Sequence, residues 1–289
     1  MDLPRIKGIL EFNEIDTGVE RIYKYYKFNA VNLVTSKQEI DIIDSPHNGK
    51  MIFMDGVLQS TTQDEVIYHN ALVHPLLGTL VCKKHILILG GGEGATAREV
   101  LRWPTVEVTM VDYDEEFVEY MKDNGMEWSR GAFDDVRLIT LYEDAWEFMK
   151  EGNSYDGVII DLTDPDFNKD RWAPLLRMIL DSVKLYQGGF VMNAGLYSPW
   201  DTKNLKTIVE VIKDLCLKNT DFRYYLYTAY IPSFNGEWTF IAVIHKNTYM
   251  TDPDKIEYIP EWIRRSLKTL PESLLNQNST DPSISKIII

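Results

Sequence analysis

His85-Ile-Leu-Ile-Leu-Gly-Gly-Gly-Glu-Gly-Ala-Thr-Ala-Arg-Glu-Val-Leu101 is the stretch whose reading decides the fold. Ile86 to Leu89 are apolar and branched with no polar break, as a strand covered on both faces requires. Gly90, Gly91, Gly92 and Gly94 follow at once, and glycine lets backbone turn sharply and approach a ligand closely. Ala95 to Leu101 then supplies good helix formers. Strand, glycine turn and helix in that order make a nucleotide-binding element. Glu93 is the anomaly within it. A negative charge in the turn opposes a pyrophosphate, so the ligand group nearest the turn is expected to be neutral or cationic.

Outward from that turn the chain alternates strand and helix, the mark of a parallel α/β sheet. Expected strands are His85 to Leu89, Val106 to Val111, Val136 to Thr140, Tyr155 to Ile160 and Phe190 to Asn193. Expected helices are Ala95 to Trp103, Glu115 to Asn124, Asp144 to Lys150, Trp172 to Leu185 and Thr202 to Lys218. Tyr224 to Tyr230 and Trp238 to Ile244 are expected to pair as an antiparallel hairpin, and Pro260 to Lys268 to be helical. Before the glycine turn, Thr61 or Thr62 is placed as the cap of a helix that Gly78 closes. Residues 1–62 form the expected N-terminal domain, a small antiparallel sheet of hairpins with an Asn48-Gly49 turn. Residues 63–289 form the expected catalytic domain with a C-terminal extension. The closing Ile287 to Ile289 could dock on the body, dock on a neighbouring subunit or stay loose.

Bulk composition narrows the class. With 289 residues the chain can bury a sizeable core. Asp plus Glu number 44 against 30 Lys plus Arg, for a formal charge of −14, which disfavours nucleic acid and anionic membranes as partners. A cationic small molecule is compatible with that balance, though taken alone the acidity is better read as serving solubility. The two cysteines, Cys82 and Cys216, are far apart and suggest neither a disulfide framework nor a zinc site. With no signal-peptide pattern at Met1 to Ile6 and no long apolar run, the expected location is cytoplasmic.

An acid stands at the C-terminal end of each of the first four strands, where open α/β sheets bind ligands: Glu93, Asp112, Asp144, and Asp161 with Asp164. Each has a structural alternative. Asp112 could cap a turn, Asp144 could cap a helix, and Asp164 before Pro165 could be a turn residue. Five acids at one edge are harder to explain as five separate caps. Asp112 follows Gly90 at near the roughly 20-residue spacing of an acid that grips a ribose diol. Asp144 and Ala145 sit where an adenine would lie. The pattern is that of a sulfonium nucleoside, S-adenosylmethionine or a derivative, rather than NAD. Glu93, Asp161 and Asp164 remain, and three carboxylates around one cavity repel unless cations lie between them. A polyamine supplies such cations.

The motifs Met54-Asp-Gly-Val-Leu-Gln59, Asp64-Glu-Val-Ile-Tyr-His69, Gly90-Gly-Gly-Glu-Gly94, Val111-Asp112, Glu143-Asp-Ala145 and Asp161-Leu-Thr-Asp-Pro165 together resemble the polyamine aminopropyltransferases, the spermidine/spermine synthase family. The resemblance runs from about Gln38 to Val243. It looks nearest the prokaryotic branch with agmatine- and triamine-type enzymes in Ala95-Thr-Ala-Arg-Glu99 and in Met126 to Asp135, and nearest the thermospermine and spermine synthases in Ile231-Pro-Ser-Phe234 with Trp238.

The resemblance implies a Rossmann-like, methyltransferase-type open sheet preceded by the small antiparallel domain. It implies transfer of the aminopropyl group of decarboxylated S-adenosylmethionine, a co-substrate, to spermidine, agmatine or putrescine, with release of 5′-methylthioadenosine. No cofactor and no metal are implied, because the sulfonium is already an activated leaving group. Gln38 and Asp112 would hold the donor's ribose end, Asp144 and Ala145 its adenine, and Gly90 and Gly92 would let it approach the turn. Glu93 would bind the aminopropyl ammonium and face the acceptor as well. Asp161 would be the catalytic base and orienter. Gln59, Tyr68, His69, Asp164, Phe234 and Trp238 would line the acceptor region. A homodimer or homotetramer is implied too.

Departures from the family pattern bear on the acceptor. Phe234 replaces a tyrosine that helps position putrescine in many spermidine synthases, Glu93 stands where aspartate is commoner, and Asn193 replaces a usual glutamine. The alternative is a methyltransferase of the same fold; a polyamine-binding sensor is the non-enzymatic one. His47 sits in a turn and is read as solvated, His74 and His245 show no partner pattern that would make them metal ligands, and Trp128 and Trp172 are read as packing.

Overall fold

Hairpins build the N-terminal part of the chain, as alternation and turn residues dictate. The computed structural model describes residues 9–16, 19–26, 29–166, 168–183, 188–198 and 202–270. The first residues and the terminal isoleucines lie outside the described residues. Two compact units result, Met1–Val66 and Ile67–Ile289.

In the first unit, β1 (Ile9–Asp16) pairs antiparallel with β2 (Val19–Tyr26). A separate four-stranded antiparallel sheet has the order β3 (Val31–Val34), β4 (Glu39–Ser45), β5 (Gly49–Met54), β6 (Val57–Thr61). The single expected sheet is thus two among the described residues, and β1 and β6 are additions. Asp55 and Gly56 carry φ of 49° and 80° between β5 and β6, the double positive φ that a two-residue hairpin favours.

Helix α1 (Glu65–Thr79) starts later than the expected Thr61 or Thr62 cap, and Gly78 does not close it. Thr61 instead donates its hydroxyl to Asp64 at 2.7 Å. Gly78 lies inside the helix, where an added Cβ would stand 2.7 Å from Ile256 Cδ1, so packing rather than helix termination requires the glycine. Nearly every residue from Ile67 to Leu77 is buried, so the helix lacks the polar face of a surface helix.

The remaining strands form one eight-stranded sheet. In chain order they are β7 (His85–Gly90), β8 (Glu107–Asp112), β9 (Leu138–Tyr142), β10 (Gly157–Asp161), β11 (Gly189–Tyr197), β12 (Phe222–Ile231), β13 (Gly236–His245) and β14 (Lys268–Thr269). Their spatial order is β14-β12-β13-β11-β10-β7-β8-β9. The five strands from β11 to β9 run parallel, and β12, β13 and β14 are joined antiparallel. This is the expected open sheet with a terminal hairpin. The intervening helices are α2 (Ala95–Leu101), α3 (Glu115–Asn124), α4 (Met126–Ser129), α5 (Ala145–Phe148), α6 (Lys169–Ser182) and α7 (Lys203–Lys218). Helix α2 stops before the expected Trp103. Of the expected Pro260 to Lys268 helix only α8 (Glu261–Arg264) forms, and Lys268 enters β14.

Strand alternation divides the core. Val158, Ile160, Phe190, Met192, Ile241 and Val243 point to the side covered by α6 and α7. Tyr227 and Phe240 face α1, where the Tyr227 hydroxyl donates to the Ala71 carbonyl at 2.9 Å. Each fully buried Leu, Ile or Phe contributes roughly 1.5–3 kcal/mol by leaving water. Such packing fixes the strands, and with them the C-terminal edge of the sheet.

Candidate active site

Chain direction reverses its build-out at β7 and β10. After β7 the chain adds β8 and β9 on one side; β10 and β11 lie on the other. A crevice opens outside the strand ends at such a point. Gly90 at the end of β7 is register partner of Asp161 at the end of β10. Gly90 has φ of +84°, and a Cβ there would stand 2.1 Å from the Asp161 carbonyl oxygen. Close backbone approach, more than flexibility, is what this glycine provides.

The Asp161 carboxylate is held at both oxygens. Tyr68 of α1 donates its hydroxyl to Oδ1 at 2.9 Å, and Thr96 of α2 donates to Oδ2 at 2.5 Å. Burial and the neighbouring Glu93 charge push the Asp161 carboxyl above its ordinary range; His69 and the two hydroxyl donors oppose that rise. Burial, with the charges of Asp161, Asp164 and Glu93, drives the Tyr68 phenol well above its ordinary value, so Tyr68 remains a donor. Glu93 Oε1 lies 3.0 Å from His69 Nε2. One oxygen or nitrogen from each of His69, Glu93 and Asp161 lies within 4.8 Å of the others. This places the anomalous glutamate beside the β10 acid.

Asp112 closes β8. Its Oδ1 accepts the Asp114 backbone N–H at 3.0 Å, and its Oδ2 would be 2.8 Å from a Cβ on Gly92. Burial raises its carboxyl to about 6, assisted by the Glu93 and Asp114 charges and opposed by the N–H groups of Asp114 and Gly92. Asp144 behaves as its structural alternative required. It caps α5, its Oδ1 accepting from the N–H groups of Trp146 at 2.9 Å and Glu147 at 3.2 Å, not from that of buried Ala145. Asp164 is exposed in the loop after β10, 3.8 Å from where a Cβ on Gly195 would sit.

The antiparallel hairpin supplies an aromatic wall. Phe234 and Trp238 have ring centroids 4.4 Å apart, and Tyr68 lies 6.3 Å from Phe234 and 6.4 Å from Trp238. Asn193 ties the wall to the acid loop. Its Nδ2 donates to the Leu162 carbonyl at 3.1 Å, while its Oδ1 accepts from Gly195 N–H at 2.9 Å and Trp238 Nε1 at 3.0 Å. Gln38, just before β4, and Gln59, exposed on β6 and donating to the Val57 carbonyl, belong to the first unit.

Two groupings were missed by sequence reasoning. Thr96 reads as part of a run of helix formers, and its only available signal is a hydroxyl two residues after the last glycine. The sequence around His74 offers no partner pattern. His74 is buried, accepts the Trp103 Nε1 proton on Nδ1 at 3.1 Å, and faces Glu99 Oε2 from Nε2 at 2.8 Å. Its partners come from α2 and the loop after it, which local spacing does not reveal.

Comparison with known proteins agrees with this architecture. The profile described as the spermine/spermidine synthase domain matches residues 65–254. A protein named polyamine aminopropyltransferase from Sulfolobus acidocaldarius is 42% identical over 200 residues, covering 67% of this chain and 64% of that protein. One of the same name from Saccharolobus solfataricus is 37% identical over 212 residues, covering 72% and 69%. The spermidine synthase of Thermotoga maritima superposes with a TM-score of 0.78 over 94% of this chain and 95% of that one. A spermidine synthase solved with the transition-state analogue AdoDATO gives 0.79 over 95% and 97%. At 24% identity these two structures share the fold.

Proposed function

The chain belongs to the spermine/spermidine synthase family, and from that premise we propose that it transfers the aminopropyl group of decarboxylated S-adenosylmethionine to a cationic di- or triamine. The observation that carries this reading is the convergence of Asp161, Glu93 and His69, with ligating atoms within 4.8 Å of one another at the sheet edge. Carboxylates so placed suit ammonium groups.

An alkylamine has a solution pKa near about 10.4 and must lose a proton before it can attack. Asp161, with its raised proton affinity, takes that proton while aligning the nitrogen. The nitrogen lone pair forms the new N–C bond, the C–S bond breaks, and its electrons neutralise the sulfonium as 5′-methylthioadenosine. Most of the remaining acceleration comes from in-line placement of two bound reactants. Glu93 holds the donor's ammonium, Asp112 its ribose, and Asp144 with the Ala145 N–H its adenine. A donor that kept its carboxylate would meet Glu93 and Asp161 as like charges, so the decarboxylated form is selected. Asp164, His69, Tyr68, Phe234 and Trp238 receive the acceptor, whose methylenes pack on the rings while its far ammonium faces Asp164. The protein acts as a dimer or tetramer in the cytoplasm, and light scattering checks the assembly.

Mass spectrometry of products tests the reaction. Purified protein with decarboxylated donor should release methylthioadenosine only when spermidine, agmatine or putrescine is present, and the panel ranks the acceptors. S-adenosylhomocysteine formed from S-adenosylmethionine would instead establish a methyltransferase.

A further inference from the structure

We propose that Thr96 is a positioning residue for the transfer reaction, its hydroxyl fixing the plane of the Asp161 carboxylate opposite Tyr68; the role in turnover rests on the reaction proposed above. The two donors approach different oxygens, Thr96 on Oδ2 at 2.5 Å and Tyr68 on Oδ1 at 2.9 Å. They also come from different helices, α2 and α1, so the carboxylate is clamped between two elements. Rotation about its terminal bond would break at least one of these bonds. The remaining lone pairs then keep fixed directions, and an amine nitrogen can be met at one geometry.

Thr96 is fully buried and sits in the first turn of α2, directly after the glycine turn. Its Cβ would lie 3.5 Å from a Cβ placed on Gly91, and Asp161 Oδ2 would lie 3.3 Å from the same point. Gly91 therefore leaves the passage between hydroxyl and carboxylate clear. The charged and titratable groups around Asp161 are Tyr68 and His69 from α1 and Glu93 from the turn, and the Asp164 charge acts on Tyr68. Glu93 disfavours ionisation of Asp161. Thr96 is one of the few groups that favour it without adding a charge of its own.

The test compares Thr96→Val, which removes the hydroxyl at nearly constant shape, with Thr96→Ser, which keeps it. Thr96→Val should lower kcat about tenfold with the donor KM within about twofold, and move the acid limb of the pH–rate profile up by about one pH unit, as loss of a hydrogen bond to a charged group predicts. Thr96→Ser should restore both. Unchanged kcat and pH profile in Thr96→Val, or equal impairment in Ser and Val, would overturn the proposal. If Thr96→Val does not fold, Thr96→Ala takes its place in the same comparison. Carbon-13 NMR titration of the Asp161 carboxyl in wild type and variant reads the clamp without turnover. A shifted titration in an inactive wild type would discard the reaction and keep the clamp; an unshifted one would discard the clamp.

Discussion

Gly90 and Asp161 are paired across β7 and β10 so closely that any side chain on the glycine would enter the peptide of the aspartate. Gly90→Ala should therefore do far more than strain the backbone. Gly56 is the control, since its φ is +80° but a Cβ there meets nothing within 4 Å. Gly56→Ala should cost roughly 1–2 kcal/mol, the expense of the left-handed conformation alone. Gly90→Ala should exceed that in chemical denaturation and abolish methylthioadenosine release. Equal costs would show that contact with Asp161 is unimportant.

Tyr68→Phe keeps the ring that faces Phe234 and Trp238 and removes the proton given to Asp161. Turnover should fall roughly 10–100-fold, with the acceptor KM changed much less, because the lost bond orients the base rather than the chain of the amine. Steady-state kinetics with the preferred amine decide it. A rise in KM at constant kcat would make Tyr68 a binding residue only.

Asp112 is held against its own preference. Its folded pKa is raised from 3.8 to about 6. The folded chain thus binds this proton more tightly than the unfolded chain does. The associated stability is present below pH 3.8 and is lost as pH rises through 6. Asp112→Asn should accordingly stabilise the protein at pH 8 by roughly 2–3 kcal/mol and leave it little changed at pH 3.5. The same variant should weaken donor binding at pH 8. Denaturant melts at the two pH values and donor titration check both halves.

The opposite sign holds at Glu99. His74, Arg98 and Arg102 surround this buried carboxylate. Burial alone would raise its pKa, but the His74 hydrogen bond and the two arginines bring it down to about 2. Burial lowers the His74 pKa, and the Trp103 N–H on Nδ1 requires an unprotonated nitrogen there, so the imidazole is neutral with its proton on Nε2 toward Glu99. The arginines then carry the charge compensation. Stability from Glu99 is present above pH 4.5 and is lost as pH falls toward 2. Glu99→Gln should cost roughly 3–5 kcal/mol at pH 7, the usual penalty for stripping one partner from a buried charge pair. The gap from wild type should close on acidification, as read by thermal melts.

Periodicity and turn chemistry made the larger outline legible. The apolar run at Ile86 to Leu89, the glycines and the acids at strand ends led to the open sheet and to the edge where Asp161, Glu93 and Asp112 gather. What stayed hidden was the choice of partner across long chain separations. Nothing near His69 announces Glu93, and nothing near Asn193 announces Leu162 or Trp238. Element ends were hidden for a related reason: Gly78 is a stop signal locally, but packing against Ile256, not helix termination, requires it. Asp144 was correctly ambiguous, since a cap and a ligand group require the same residue type at the same place.

Asn193 has a further consequence. One amide joins a carboxylate loop borne by the parallel strands to an indole borne by the antiparallel hairpin. Exchange of the Phe234 ring leaves that joint intact, whereas loss of the indole at 238 or of the amide at 193 frees the hairpin from the loop.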